Sequence, residues 1–519
     1  MTEKNRITAD SIHKKEFFKQ NLVLYLVIIG CIGFIIRLIF LPLDVPLVSD
    51  AFWYFGYASD LKNLGSFPTG YHLVNNGWPT FLSFVFSFFE YNEFLQFMNI
   101  QRILSIILSS MTVIPVYFLC RKFFSKSLSI IGGAIFVFEP RIIINSLLGI
   151  TEPLYIILIT SALSLFLSQN KKLIFLSFPL LSLAILVRYE GIMWVLIFSI
   201  MYFIFYKNKI NAKIIGKYLL LIGIFVLILT PMLYVRTITT GTDQISTRIQ
   251  GSIEDVDIST SGGENKILSF MQYLGNGIVN LLKNLSWSMI PYLIFFVPAG
   301  AYFLLKKRNF DSLVLIVSII SILSTNVLYA YSRGIQDTRY LYVLYPIFCI
   351  FALFTIQKML ERTERKKMIS VLLLSGILIS SIVFLNFKSI DVEHERESFI
   401  ISKKIYEITK VTNQIYPESQ YIEMSSLLEM DYPFLINSVE PKMHLVDTTK
   451  YDSLQDLIIQ NKKITHIITD NSKNRPEYLR DLFSDENKYQ FLTKVYDSQE
   501  QGYKYHVKVF KIDFKKFDT

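Results

Sequence analysis

The run Leu22–Leu43, LVLYLVIIGCIGFIIRLIFLPL, decides what kind of protein this is. It has about the 20 apolar residues that a helix needs to span a bilayer. About 20 polar residues precede it, among them Lys4, Arg6, Lys14, Lys15 and Lys19. The run is too long for a signal-peptide core and carries no small-residue cleavage site. It is expected to be an uncleaved first span, with residues 1–20 as a cytoplasmic tail.

Outward from it, similar runs recur near 99–120, 127–140, 147–168, 173–187, 192–206, 218–235, 285–305, 311–331, 341–357 and 368–387. The expectation is a polytopic α-helical membrane protein of about 11 transmembrane helices. Composition agrees, since 52% of the 519 residues are hydrophobic and 18% charged, where soluble domains hold about a quarter charged. The net charge of +10 is spread among short loops, a mark of membrane topology and not of nucleic-acid binding. Cys31, Cys120 and Cys349 lie far apart in apolar runs, so neither a disulfide frame nor a zinc site is expected.

Loop charge assigns the sides. The N-terminus, Arg121/Lys122/Lys126, Lys171/Lys172, Lys207–Lys217, Lys306/Lys307/Arg308 and Lys358–Lys367 are basic and expected inside. The loop 44–98, with Asp44, Asp50, Asp60, Glu90 and Glu93, and the loop 236–284 are acidic or mixed and expected outside. After about Asn386 the pattern becomes that of a soluble unit, so 21–387 reads as the membrane module and 388–519 as a small extracytoplasmic α/β domain. In it a helix is expected at 395–413 and another at 453–461. Strands are expected at Tyr421–Ser425, Met443–Val446, Ile464–Thr469 and Tyr503–Asp513. Its His444, His466 and His506 lack partners at metal-ligand spacing. Thr237–Gly263 reads equally as a solvated connector or a gating loop. Asn284-Leu285-Ser286 is a sequon close to a span.

The loop 44–98 opens with Ser49-Asp50-Ala51-Phe52-Trp53-Tyr54, and on a helix Asp50, Tyr54, Ala58 and Leu61 share one face. By its immediate neighbours Asp50 reads as a helix cap. Other charged groups fall on its expected side of the membrane: Glu139-Pro140-Arg141, Thr151-Glu152-Pro153, Arg188-Tyr189-Glu190-Gly191, Pro231 through Arg236, and Arg333 with Asp337-Thr338-Arg339-Tyr340. Charge at the end of a span is costly unless paired or used. Arginines suit a lipid phosphate, and carboxylates suit activation of a hydroxyl acceptor.

These residues resemble the GT-C glycosyltransferases, the group with protein O-mannosyltransferases and aminoarabinose transferases. The shared features are the D-x-x-x-Y-x-x-x-A-x-x-L run at Asp50, Trp78-Pro79, Glu152-Pro153, Arg188-x-Glu190-Gly191, Pro231-x4-Arg236-x4-Gly241, and Arg339-Tyr340 before Pro346. They cover roughly the first 350 residues in the family's order. The resemblance implies transfer of a sugar from a polyprenyl-phosphate donor to a protein, lipid or glycan acceptor, with inversion. Asp50 would be the general base, and Asp60, Glu152 or Glu190 a second carboxylate. Arg188, Arg236 or Arg339 would hold the donor phosphate, and Tyr54, Trp78 and Tyr189 would contact acceptor or sugar. The chain has Asp50-Ala51 where many relatives have Asp-Glu. It lacks the WWDYG and D-x-D signatures of oligosaccharyltransferases, which argues against en bloc transfer to asparagine and weakens the case for a required metal, so a divalent metal is left open but not indicated. The expected setting is a prokaryotic cell membrane. A flippase for a lipid-linked sugar is the alternative, although no internal two-fold repeat supports it; a sensor anchored by its helices ranks last.

Overall fold

The computed structural model describes residues 22–518, apart from 48–49, 70, 72, 74, 91–93, 169, 244, 248–249, 252–253, 255–265, 308, 412–420, 424–443, 447, 462–463 and 474. The expected N-terminal tail, Ser49, most of Thr237–Gly263 and parts of the segments after Tyr421 lie outside the described residues. The chain divides into two compact units. The first holds residues up to Leu41, Tyr54–Glu90 and Ile100–Leu385, and the second Pro42–Trp53, Tyr91–Asn99 and Asn386–Thr519. The long first loop is therefore split between the two, where the sequence had suggested a single membrane module.

The first unit is a helical membrane body. Among the described residues six helices are long and apolar enough to cross a bilayer: Leu22–Ile39, Leu95–Cys120, Ala212–Thr240, Phe310–Arg333, Thr338–Glu361 and Lys366–Ile405. Two bent pairs pass the same test together, Lys126–Val137 with Pro140–Leu147 at 49° and Ile267–Ser288 with Leu293–Leu305 at 114°. Three further expected spans fall on the shorter apolar helices Glu152–Phe166, Lys172–Val187 and Tyr189–Phe205. The first bend has a local cause: Pro140 follows Glu139, whose extended backbone (φ −65°, ψ 117°) interrupts the helix.

Inside this body the helices are tied by polar side chains that water cannot reach. Arg37, fully buried in the first span, donates to the hydroxyls of Ser146 (3.1 Å) and Ser109 (3.0 Å) and to the carbonyls of Gly33 (2.8 Å) and Val137 (3.0 Å). Val137 ends a helix, where carbonyls lack helical partners and attract a cation. Gly300 packs so closely that an added Cβ would stand 1.8 Å from the carbonyl oxygen of Phe351. Such small-residue contacts let membrane helices approach each other. The sequon asparagine Asn284 is buried, its amide donating to Asn280 (2.9 Å) and Gln336 (3.1 Å), so its nitrogen is not presented for modification.

The second unit contains a five-stranded sheet: β1 Tyr421–Glu423, β2 His444–Val446, β3 Ile464–Asp470, β4 Leu492–Asp497 and β5 Val507–Ile512, in the order β2-β1-β3-β5-β4. The β1 strand lies parallel to β2 and β3, whereas β5 runs antiparallel to β3 and β4. Leu454–Gln460 and Glu477–Ser484 cover one face, with Leu457, Leu479 and Phe510 fully buried. The other face receives Ile401 and Ile405 of the Lys366–Val411 helix, packed with Ile468 and Val509. The helix expected at 395–413 is not separate but the end of this continuous 46-residue helix. Between Asn386 and Phe399 there is neither Gly nor Pro, and the Glu and Lys residues there favour the helical state.

Candidate active site

The site is built on two tight turns of the first unit. One joins Pro140–Leu147 to Glu152–Phe166 through Gly149, whose φ of 73° suits glycine. The Gly149 carbonyl accepts from the Gln101 amide (2.7 Å) and the Trp78 indole (3.1 Å), while the Leu147 carbonyl accepts from Arg102 (3.2 Å). These bonds fix the turn that delivers Glu152 to the first turn of its helix, where the dipole favours a carboxylate. The other turn ends Lys171–Val187, puts Arg188 in extended backbone, and runs through Tyr189–Gly191 into Ile192–Phe205.

Arg188 bridges the two. One amino group donates to Glu152 at 2.6 Å and to the Thr151 hydroxyl at 3.1 Å, and the other donates to Glu190 at 2.9 Å. All three charged side chains are largely buried, at 14%, 4% and 20% exposure, so the contacts are weakly screened. The cluster carries one net negative charge, and Glu190 Oε2 is buried without a hydrogen bond among the described residues. A small cleft opens here, lined by Glu152, Arg188, Glu190 and Arg339 together with Tyr155, Trp194, Asn326 and Tyr340. Arg339 follows Asp337, which caps a 3-10 turn by accepting from the Arg339 amide (2.8 Å) and its guanidinium (2.7 Å). Four of the charged residues that the sequence singled out thus share one cleft.

The remaining candidates stand elsewhere. Arg236 is 1% exposed and donates to the side-chain oxygen of Asn76 (2.8 Å from Nε), which in turn contacts the Tyr57 hydroxyl. It does not line the cleft. Asp60 accepts from the Tyr71 hydroxyl at 2.6 Å. Trp78 is fully buried, so its place is in the core and not on an open wall. Tyr54 is 7% exposed, and the Tyr189 ring meets Tyr329 edge-on at 6.0 Å. Arg141 lies between the Trp287 and Phe384 rings at 4.9 and 5.1 Å. Asp50 belongs to the second unit; it is exposed and opens the Asp50–Leu64 helix, on which Ala51, Tyr54, Phe55 and Ala58 form the buried face.

Sequence reasoning missed Asn75 and Asn76. Asn75 accepts from the Tyr189 backbone amide (3.2 Å) while its neighbour holds Arg236, so one dipeptide fixes both an Arg and the turn beside the cleft. No local pattern announces this. Gln101-Arg102 was also missed, although an arginine beside a polar amide in an apolar helix is a legible signal. Among the described residues no three His, Cys, Asp or Glu gather at metal-binding distance.

No model of a known protein family matches the chain, and no curated protein does. Solved structures do. The oligosaccharyltransferase of Archaeoglobus fulgidus, solved with Zn and sulfate, superposes with a TM-score of 0.57 at 14% identity, over 85% of this chain and 68% of that one. Archaeal oligosaccharyltransferase AglB from the same organism, in complex with an inhibitory peptide and a dolichol-phosphate, gives 0.56 at 13% identity over 88% and 70%. ArnT from Cupriavidus metallidurans bound to undecaprenyl phosphate gives 0.56 at 11% identity over 93% and 97%. Identities this low show the fold alone: the chain has the membrane architecture that these solved structures share.

Proposed function

We propose that this integral membrane protein is a glycosyltransferase that moves one sugar from a polyprenyl-phosphate donor to a protein, lipid or glycan acceptor on the extracytoplasmic face. The observation that carries the reading is the cleft in which Arg188, clamped by Glu152 and Glu190, shares a wall with Arg339. Supporting it, two of the matched GT-C structures are described with dolichol-phosphate and undecaprenyl phosphate. In this reading Asp50 takes the proton of the acceptor hydroxyl as that oxygen attacks the anomeric carbon. The bond from that carbon to the phosphate oxygen breaks, polyprenyl phosphate leaves with the electron pair, and the configuration inverts. Arg339 is the preferred phosphate contact. It is paired with Asp337, yet its side chain is 35% exposed, whereas Arg188 is 14% exposed between two carboxylates and Arg236 is sealed against Asn76. Glu190 offers an oxygen to a sugar hydroxyl, and no step requires a metal. The missing WWDYG run keeps the likeness to oligosaccharyltransferases at the level of fold. The positive-inside pattern supports a prokaryotic cell membrane with the N-terminus in the cytoplasm and the C-terminal domain outside.

The test is transfer of labelled sugar from a panel of synthetic polyprenyl-phosphate donors by the purified protein and by Asp50→Asn. Loss of a general base lowers turnover about 10²- to 10⁴-fold. Equal activity of the variant would remove Asp50 from the chemistry. Donor crossing sealed vesicles without covalent transfer would replace the enzyme with a flippase.

A further inference from the structure

The helices that build the cleft carry a second cavity at their other ends. Glu152–Phe166, Lys171–Val187, Ile192–Phe205 and Phe310–Tyr329 bring Glu152, Arg188, Trp194 and Asn326 to the cleft. At their far ends the same helices bring Phe166, Ile174, Phe205 and Asp311 to one cavity, with Tyr202, Tyr206 and Phe310 in its wall. This end is the one marked by the basic loops, and Lys172 and Lys207 are exposed next to its lining segments.

The wall is a set of rings. The centroids of Tyr202 and Tyr206 are 4.9 Å apart, those of Phe205 and Tyr206 4.9 Å, and those of Phe205 and Phe310 5.0 Å. A belt of aromatics at a membrane surface would account for rings alone. It does not account for Asp311. The ordinary task of such a residue is to cap its helix, but Asn309 does that, its side chain accepting from the Ser312 amide at 2.9 Å. Among the described residues the Asp311 carboxylate accepts no hydrogen bond and forms no ion pair, and Lys122 acts on it only from a distance. A carboxylate partly withdrawn from water beside ring faces suits a cation. The surface beyond the rings is apolar: Leu196 and Ile200, one turn apart, are each 54% exposed, and Phe205 at the cavity is 47% exposed.

We infer that this cavity holds the ammonium head group of a phospholipid of that leaflet, phosphatidylethanolamine being the form whose N–H groups can donate to Asp311. The ammonium stands among Tyr202, Phe205, Tyr206 and Phe310 against the carboxylate. Its phosphate meets Lys172 and Lys207 at the rim, and an acyl chain passes Phe205 toward Ile200 and Leu196. The occupant is a lipid and not a free amine, because the ring wall continues into surface that faces hydrocarbon. Occupied, the cavity ties together the far ends of the helices that carry Glu152 and Arg188. The inference does not depend on the transferase reading.

The experiment uses the purified full chain, stripped of lipid in detergent, and native mass spectrometry with phosphatidylethanolamine, phosphatidylcholine and phosphatidylglycerol of matched chains. The unmodified protein is expected to hold phosphatidylethanolamine about tenfold more tightly than phosphatidylglycerol, and Asp311→Asn to lose that preference. Tyr206→Leu is expected to weaken binding about threefold. Asp311→Asn should unfold at the unmodified temperature without lipid, and only the unmodified protein should gain thermal stability from added phosphatidylethanolamine. If Asp311→Asn unfolds early, Tyr206→Leu decides, and unchanged binding by it would overturn the inference. Phosphatidylglycerol held as tightly as phosphatidylethanolamine would also overturn it, as would a preference that survives Asp311→Asn. Phosphatidylcholine held equally well would remove Asp311 from the site, and soluble phosphoethanolamine competing as well as the intact lipid would make the ligand a free amine.

Discussion

Glu152 and Glu190 hold the same arginine yet differ in what else they do. Glu152 is 4% exposed and fixes Arg188 to the neighbouring turn, so Glu152→Ala leaves a buried cation short of a partner. Such a loss costs about 3 kcal/mol. A correspondingly lower unfolding temperature is expected, measured by thermal scanning in detergent. Glu190 keeps one oxygen unspent, and Glu190→Gln preserves the shape and a hydrogen bond to Arg188. Its unfolding is expected near wild type, with transfer reduced by about tenfold or more; the reverse ranking of the two variants would exchange their roles. In the second unit His466 is 1% exposed and faces Lys511 across the strands β3 and β5. Burial and then that lysine lower its pKa from 6.5 to about 4. Because the folded value lies below the unfolded one, stability is full above pH 6.5 and is lost as pH falls toward 4, by about 3 kcal/mol at the limit. Unfolding followed from pH 7 to 4 should show this slope, and His466→Gln should flatten it. The charged members of the cleft were legible because charge at the end of a span always asks for a reason. Asn75 and Asn76 were not, since their partners lie 114 and 160 residues away and two asparagines in a loop read as a turn.

At the scale of elements, hydropathy located the helices because a membrane rewards apolar length and little else. It could not see angles. The 114° turn after Ser288 depends on which face of Lys266–Ser288 meets protein, and that is a tertiary fact. Nor could it see that Lys366–Val411 continues past the change in composition, because charge alters the surroundings of a helix and not its hydrogen bonds. Helix contacts at glycine give a prediction here. Gly300→Ala would press a methyl carbon onto the backbone of Phe351, and Leu293–Leu305 and Tyr345–Glu361 would have to separate. Overpacking costs about 1–3 kcal/mol or more, expected as a lowered unfolding temperature. Gly216→Ala, where an added Cβ meets nothing within 4 Å, is the control and should be neutral or slightly stabilising.

For the whole molecule, identities of 11–14% suffice to keep the architecture because what it requires is a succession of apolar lengths and a few buried polar ties. The proposed orientation is tested with an impermeant maleimide on intact cells carrying a cysteine-free chain. A cysteine at Lys473 of the C-terminal domain should react at once, and one at Lys307 only after the cells are opened; the opposite order would invert the topology. Arg37 bears on how such a chain is made. Three of its four hydrogen-bond acceptors, Ser109, Val137 and Ser146, are encoded 72, 100 and 109 residues after it. At 5–20 residues per second the ribosome needs roughly 5–20 s to supply them all. Meanwhile a guanidinium close to the end of a lone span has only the Gly33 carbonyl of those four acceptors in place and must reach for the interface. The first helix thus cannot complete its polar contacts alone during synthesis and waits for the Pro140–Leu147 helix to bring Ser146.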